Sequence, residues 1–146
     1  MFCLRVELRD STLQEVAPEG RMMARKFTEA QAHKAWEWFV RQLGIADWEV
    51  TLYFQDAPPT WAAPTVDPTT MGMTQTNAAY KCADVWVCPA KHDKEDQIST
   101  LFHEGMHVVA ADVAIETGER SPTGQTEHLW NKLGDVMAKA YRAGVK

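Results

Sequence analysis

Apolar and polar positions alternate along this chain with two different periods, and the changes of period divide it into elements. Over "FTEAQAHKAWEWFVRQLG", Ala32, Ala35, Trp36, Phe39, Val40 and Leu43 recur at the three-and-four spacing of an amphipathic helix. Thr28 followed by Gln31 fits a capping box and Gly44 supplies a C-cap, so the spacing predicts a helix over 28–43. In "DWEVTLYFQ" the period drops to two. Trp48, Val50, Leu52 and Phe54 fall on one face and Glu49, Thr51, Tyr53 and Gln55 on the other, the pattern of a half-buried strand. "DAPPTWAAPTVDPTT" carries four prolines and is a loop, with Trp61 expected to pin it to the body of the protein. "MGMTQTNAAYKCADVWVCP" predicts a hairpin, with strands near 71–76 and 80–88 about a turn at Asn77 and Pro89 closing it.

Two more helical segments complete the chain. "HDKEDQISTLFHEGMHVVAADVAIETG" predicts one long helix capped by Asp93 and ending at Gly118. "SPTGQTEHLWNKLGDVMAKAYRAG" predicts a last one, with Ser121 as N-cap and Pro122 at the first helical position, where its missing N–H does no harm. Residues 1–26 give a weaker pattern: "FCLRVEL" alternates like a short strand and "EVAPEGRMMARK" reads as a linker. The order helix, strand, hairpin, helix, helix predicts an α+β fold, three main helices packed on one small antiparallel sheet. A length of 146 residues suits a single domain, 1–146, able to bury a real core.

Composition narrows the partners. A formal charge of −5, with no basic block, argues against nucleic acid. No stretch approaches the roughly 20 apolar residues of a membrane span, so no membrane association is expected. Charges at Arg5, Glu7, Arg9 and Asp10 interrupt the first residues as they would not in a signal peptide, and three cysteines, an odd number, suggest no disulfide framework. A reducing, cytoplasmic setting is expected.

The candidate chemistry lies in "STLFHEGMHVVAAD", residues 99–112. His103 and His107 are four apart, so both imidazoles leave one face of the helix a turn apart and can reach one ion at the roughly 2.0–2.1 Å zinc requires. Glu104, one position round the helix, is placed to act on a water held there, the mechanical reason for H-E-x-x-H with glutamate as general base. The pattern arises by chance in about one shuffled sequence in a hundred. Its uncharged flanks, Leu101, Phe102, Gly105, Met106, Val108 and Val109, suit a helix buried beneath a metal. Gly105 costs about 1 kcal/mol relative to alanine, which points to a close neighbour such as a strand or a tryptophan. A rival set, Cys82, Cys88, His103 and His107, is a near miss of a zinc finger. Six strand residues at about 3.3 Å each hold its cysteines about 20 Å apart. Asp112 and Glu116 lie about 140° and 180° round the helix from His107 and point away from it.

"TLFHEGMHVV" resembles the active-site helix of zincin-type zinc metallopeptidases. The metzincin extension fails, because Ala110 and Val113 stand where its glycine and third histidine belong. The gluzincin pattern, a glutamate on the following helix, is met by Glu127, twenty residues beyond His107; the adjacent His128 is the alternative third ligand. Gluzincins often carry an aspartate four residues further, which orients the first histidine. Asn131 stands there, and its side-chain oxygen could accept the N–H of His103. The order of elements is similar to that of small zincin-like metallopeptidases of bacteria and their phages. The resemblance implies a zinc ion on His103, His107 and Glu127, Glu104 as general base, and a peptide or protein substrate lying along a hairpin strand. Tyr80, His128 and Tyr141 are the candidates for stabilising an oxyanion, while His33 and His92 read as surface groups. A zinc-stabilised binding protein without hydrolysis, or a hydrolase of other esters or amides, would need the same ligands.

Overall fold

The computed structural model describes residues 27–91, 94–118 and 125–144. The readings made on residues 1–26, on His92, on Asp93 as a cap, and on Ser121 and Pro122 lie outside the described residues. The first helix, α1, is Glu29–Leu43. Its capping box forms as expected: Thr28 Oγ1 accepts from the Gln31 N–H at 3.2 Å, and the Thr28 N–H donates to Gln31 Oε1 at 2.9 Å. Gly44 ends the helix at φ 69°, a left-handed conformation that glycine adopts without steric cost.

The strands are β1 (Glu49–Phe54), β2 (Gly72–Asn77) and β3 (Cys82–Val87). β2 and β3 form the expected antiparallel hairpin, with a short 3₁₀ turn at Ala78–Tyr80 between them. The fold is α+β, but the sheet is mixed rather than antiparallel throughout. Its order is β1–β3–β2, and β1 runs parallel to β3. A parallel pair needs a crossover of a dozen or more residues. Here the proline-rich loop and β2 together form it, so β3 returns along the direction of β1 and inserts between the other two strands.

Being central, β3 is covered on both faces. Ala83, Val85 and Val87 join the helices in the main core, while Trp86 and Cys88 belong to a second cluster beneath the loop, with Ala62. Trp61 pins the loop as expected, its ring edge-on to Tyr53 at 6.1 Å. The Trp86 indole N–H donates to the Gln55 carbonyl at 2.8 Å and fixes the start of the same loop.

The long helix α2 (Lys94–Thr117) is the centre of the fold, and α3 (Gln125–Gly144) packs along it. Phe102 of α2 stacks on Phe39 of α1 at 5.0 Å and meets Tyr141 of α3 edge-on at 5.9 Å. Gly105 faces α1: a Cβ there would stand 2.5 Å from Phe39 Cε1 and 2.9 Å from Trp36 Cζ3. The close neighbour that this glycine admits is therefore the aromatic pair of α1. At the far end of α2, Asp112 accepts from the Trp48 indole at 2.7 Å and pairs with Lys81 at 3.2 Å, tying the helix to the starts of β1 and β3. Asp112 is a structural anchor, and Glu116 is exposed. Among the described residues, no helix is long and apolar enough to cross a membrane.

Candidate metal centre

Two helices place the three donors. α2 presents His103 and His107 from successive turns, and α3 delivers Glu127 from its first turn. The two Nε2 atoms are 3.3 Å apart. Glu127 spans them, with Oε2 at 3.3 Å from His103 Nε2 and Oε1 at 3.4 Å from His107 Nε2. The donor atoms of this trio all lie within 4.8 Å of one another, and it is the only such group among the described residues.

These separations discriminate between two explanations. A charge-assisted N–H···O bond has an N···O distance of about 2.7–2.9 Å, shorter than either contact to Glu127. Four ligands bonded at the roughly 2.0–2.1 Å of zinc to nitrogen or oxygen stand about 3.3–3.4 Å apart at the corners of a tetrahedron. The observed triangle has the edges of one tetrahedral face, and its nitrogen and carboxylate donors suit zinc. The group fits the residues.

The protonation states favour the same use. Burial pushes the pKa of His103 and of His107 below the ordinary value, with Glu127 opposing in both cases, so both imidazoles are neutral at neutral pH and keep a lone pair to donate. The exposure of the three side chains rises from 15% at His103 to 31% at His107 and 53% at Glu127, so the centre opens to solvent on the α3 side.

Glu104 lies on the other side of His103, 5% exposed. Burial, with a contribution from Glu127, pushes its pKa up to about 8, against a hydrogen bond from Thr74 that lowers it. The Thr74 hydroxyl is 2.7 Å from Glu104 Oε2. Gly72, two residues earlier on β2, has no side chain to crowd the other oxygen; a Cβ there would stand 2.9 Å from Oε1. β2 thus holds one carboxylate oxygen by Thr74. The other lies beside Gly72, which with Glu104 borders a cavity of about 430 Å³ between β2, α2 and α3. Thr100, His103, Asn131 and Asp135 also line that cavity.

Several expected roles change. Asn131 is exposed on the cavity wall, and the buried Nδ1 of His103 has no hydrogen-bond partner among the described residues, so the expected bond from His103 to Asn131 is not formed. His128 is exposed and outside the donor trio; its helix turns Glu127 towards the histidines instead. The sheet does not bring the zinc-finger set together. Cys88 sits with Trp86 in the cluster on the face away from α2, and Cys82, six residues along β3, shares that strand parity. Neither is in a disulfide. Of the oxyanion candidates, Tyr141 is committed to core packing against Trp38 and Phe102, and Tyr80 is 80% exposed on the turn after β2. His33 is exposed on α1.

Thr74, Gly72 and Asp135 were not singled out from the sequence. One signal for the first two was present. "GMTQTN" has small or polar residues at Gly72, Thr74 and Thr76, so this strand lacks an apolar face where it meets the helix carrying the motif. Comparison with known protein families, curated proteins and solved structures finds no match to this chain.

Proposed function

We propose that the protein is a zinc-dependent hydrolase of peptide or amide bonds, with a site built like that of the gluzincin metallopeptidases. The observation that carries this reading is the triangle of His103, His107 and Glu127, with edges of 3.3, 3.3 and 3.4 Å, beside a buried glutamate. Zinc bound by these three side chains supplies a Lewis acid for a carbonyl oxygen and lowers the pKa of water towards about 7. Glu104 accepts the proton of the attacking water and returns it to the leaving amine. Thr74 keeps the Glu104 carboxylate from rotating, and β2, the edge strand beside it, offers main-chain N–H and C=O groups to an extended peptide. With neither Cys82 nor Cys88 in a disulfide, the reading includes a reducing, cytoplasmic setting.

The test begins with metal content. Elemental mass spectrometry of the purified chain should find near one zinc per chain, lost in His103→Ala and in Glu127→Ala. Peptide hydrolysis should then fall by about 10²- to 10⁴-fold in Glu104→Gln, the usual contribution of a general base, with zinc retained. Zinc without turnover of any peptide, amide or ester would leave a metal-stabilised binding protein. Turnover confined to esters or non-peptide amides would change the substrate class. No zinc, even after reloading, would remove the reading altogether.

A further inference from the structure

The cavity beside the metal centre has a chemical character of its own. His103 and Glu104 form its inner wall, so a substrate whose carbonyl lies at the zinc has a neighbouring side chain within reach of it. At about 430 Å³ it falls in the size range of pre-formed ligand pockets. Thr70, Met71, Ser99 and Asn131 add only uncharged groups, and among the described residues no lysine or arginine lines it. Lys91 lies outside the lining, exposed, with its ammonium bonded to the Thr70 carbonyl at 2.8 Å. Among the described residues, Asp135 is the one exposed carboxylate in the wall. It follows Glu127 and Asn131 along one row of α3 at intervals of four, two turns or about 12 Å of helix beyond the zinc ligand.

Resting on the zinc-hydrolase reading, we propose that this cavity receives a lysine or arginine side chain of the substrate and that Asp135 pairs with its cation. Only a long side chain spans from the metal centre to Asp135, and the flexible stem of a basic residue can lie along Met71 while its charged head stays hydrated at the rim. An acidic side chain would meet the like charge of Asp135. An apolar one would cover Ser99 and Asn131 and shut water away from their polar groups. Because Asp135 is exposed, the gain is that of a solvent-screened pair, about three- to fivefold in affinity.

Two matched pairs of hydroxamates, carrying a lysine or a norleucine side chain on either side of the zinc-binding group, test this on the zinc-loaded full chain by calorimetry. In one pair the lysine compound should bind about three- to fivefold tighter at low salt, and the margin should shrink as salt is raised. Asp135→Asn should abolish the margin without changing zinc content, and Asp135→Lys should favour a glutamate side chain instead. Equal binding in both pairs, or a margin that survives Asp135→Asn, would overturn the pocket while leaving the metal centre standing. A chain that binds no zinc would overturn the metal reading and this proposal together.

Discussion

Alanine at Gly105 sets two known effects against each other. Replacing a helical glycine normally stabilises by about 1 kcal/mol, because the unfolded chain loses freedom. Here the added methyl would stand 2.5 Å from Phe39 Cε1 and 2.7 Å from Cζ. The Phe39 ring cannot swing away cheaply: it is fully buried, stacked on Phe102 at 5.0 Å and on Trp36 at 5.5 Å. Overpacking of a tight core costs about 1–3 kcal/mol, and contacts this short belong at the upper end or beyond. Gly105→Ala should therefore destabilise by about 2 kcal/mol net, read as a lower urea midpoint with an unchanged slope. Phe39→Leu removes the ring atoms in question, so the double variant should be less destabilised than the two singles added together, by at least about 0.5 kcal/mol. Zinc content should survive in both, since Gly105 faces α1 while the histidines face α3. A midpoint that stays put or rises in Gly105→Ala would refute the packing of α1 on α2 described above.

The pH dependence of the metal-free protein follows from the buried groups of the site. The pKa of Glu104 rises from an ordinary 4.5 to about 8, so the folded chain holds a proton that the unfolded chain releases. The resulting stabilisation, at most about 5 kcal/mol, is complete below pH 4.5 and is lost as pH rises through about 8. Urea midpoints at pH 5, 7 and 9 in chelator should fall for the parent relative to Glu104→Gln, and parallel curves would show the carboxylate to be solvated. His103 and His107 act in the opposite direction: their lowered pKa values give stability that is present above about 6.5 and lost as pH falls below it. Protons compete with zinc for the same atoms, so a zinc-indicator titration should show release on that acid side; retention of zinc well below pH 5 would contradict the ligand set. Thr74→Val should keep zinc but lower peptide hydrolysis by about 10- to 100-fold, the worth of a hydrogen bond to a charged group, and Thr74→Ser should restore most of it. Equal rates in Thr74→Val would show that the hydroxyl does not position the base.

How much of this was legible in the sequence depends on whether a feature is set by local period or by pairing at a distance. The helix over Glu29–Leu43, its caps at Thr28 and Gly44, and the facing of His103 and His107 all follow from spacing along one segment. The direction of β1 does not. Alternation in "EVTLYF" tells which residues face the core, but a strand parallel or antiparallel to β3 alternates in the same way, and β3 entered between β1 and β2 from a hairpin. Glu127 needed the resemblance to gluzincins, because twenty residues and a change of helix separate it from His107. Asn131 illustrates the limit of that transfer: position in a motif put it beside His103, yet its side chain stays on the exposed cavity wall.

The glycines carry the part of the design that periodicity cannot express. Three of the elements packed on α2 meet it at a glycine: Gly105 beneath Phe39 of α1, Gly134 of α3 against the His103 backbone, and Gly72 of β2 against Glu104. At Gly134 a Cβ would stand 3.0 Å from His103 N and 3.0 Å from Ser99 O, both backbone atoms that cannot move aside alone. A methyl there would lever α3 away from α2, and Glu127, two turns earlier on the same helix, would move with it. A zinc ion held by this triangle would tolerate little of this, because zinc bond lengths are fixed to within about 0.2 Å. Gly134→Ala should therefore weaken zinc binding about tenfold or more although it touches no ligand, while the exposed Ala143→Gly on the same helix should leave it unchanged. Competition with a zinc chelator measures both. Undiminished affinity in a folded Gly134→Ala would mean that Glu127 reaches the histidines independently of how α3 is seated, and the rigid frame argued here would be wrong.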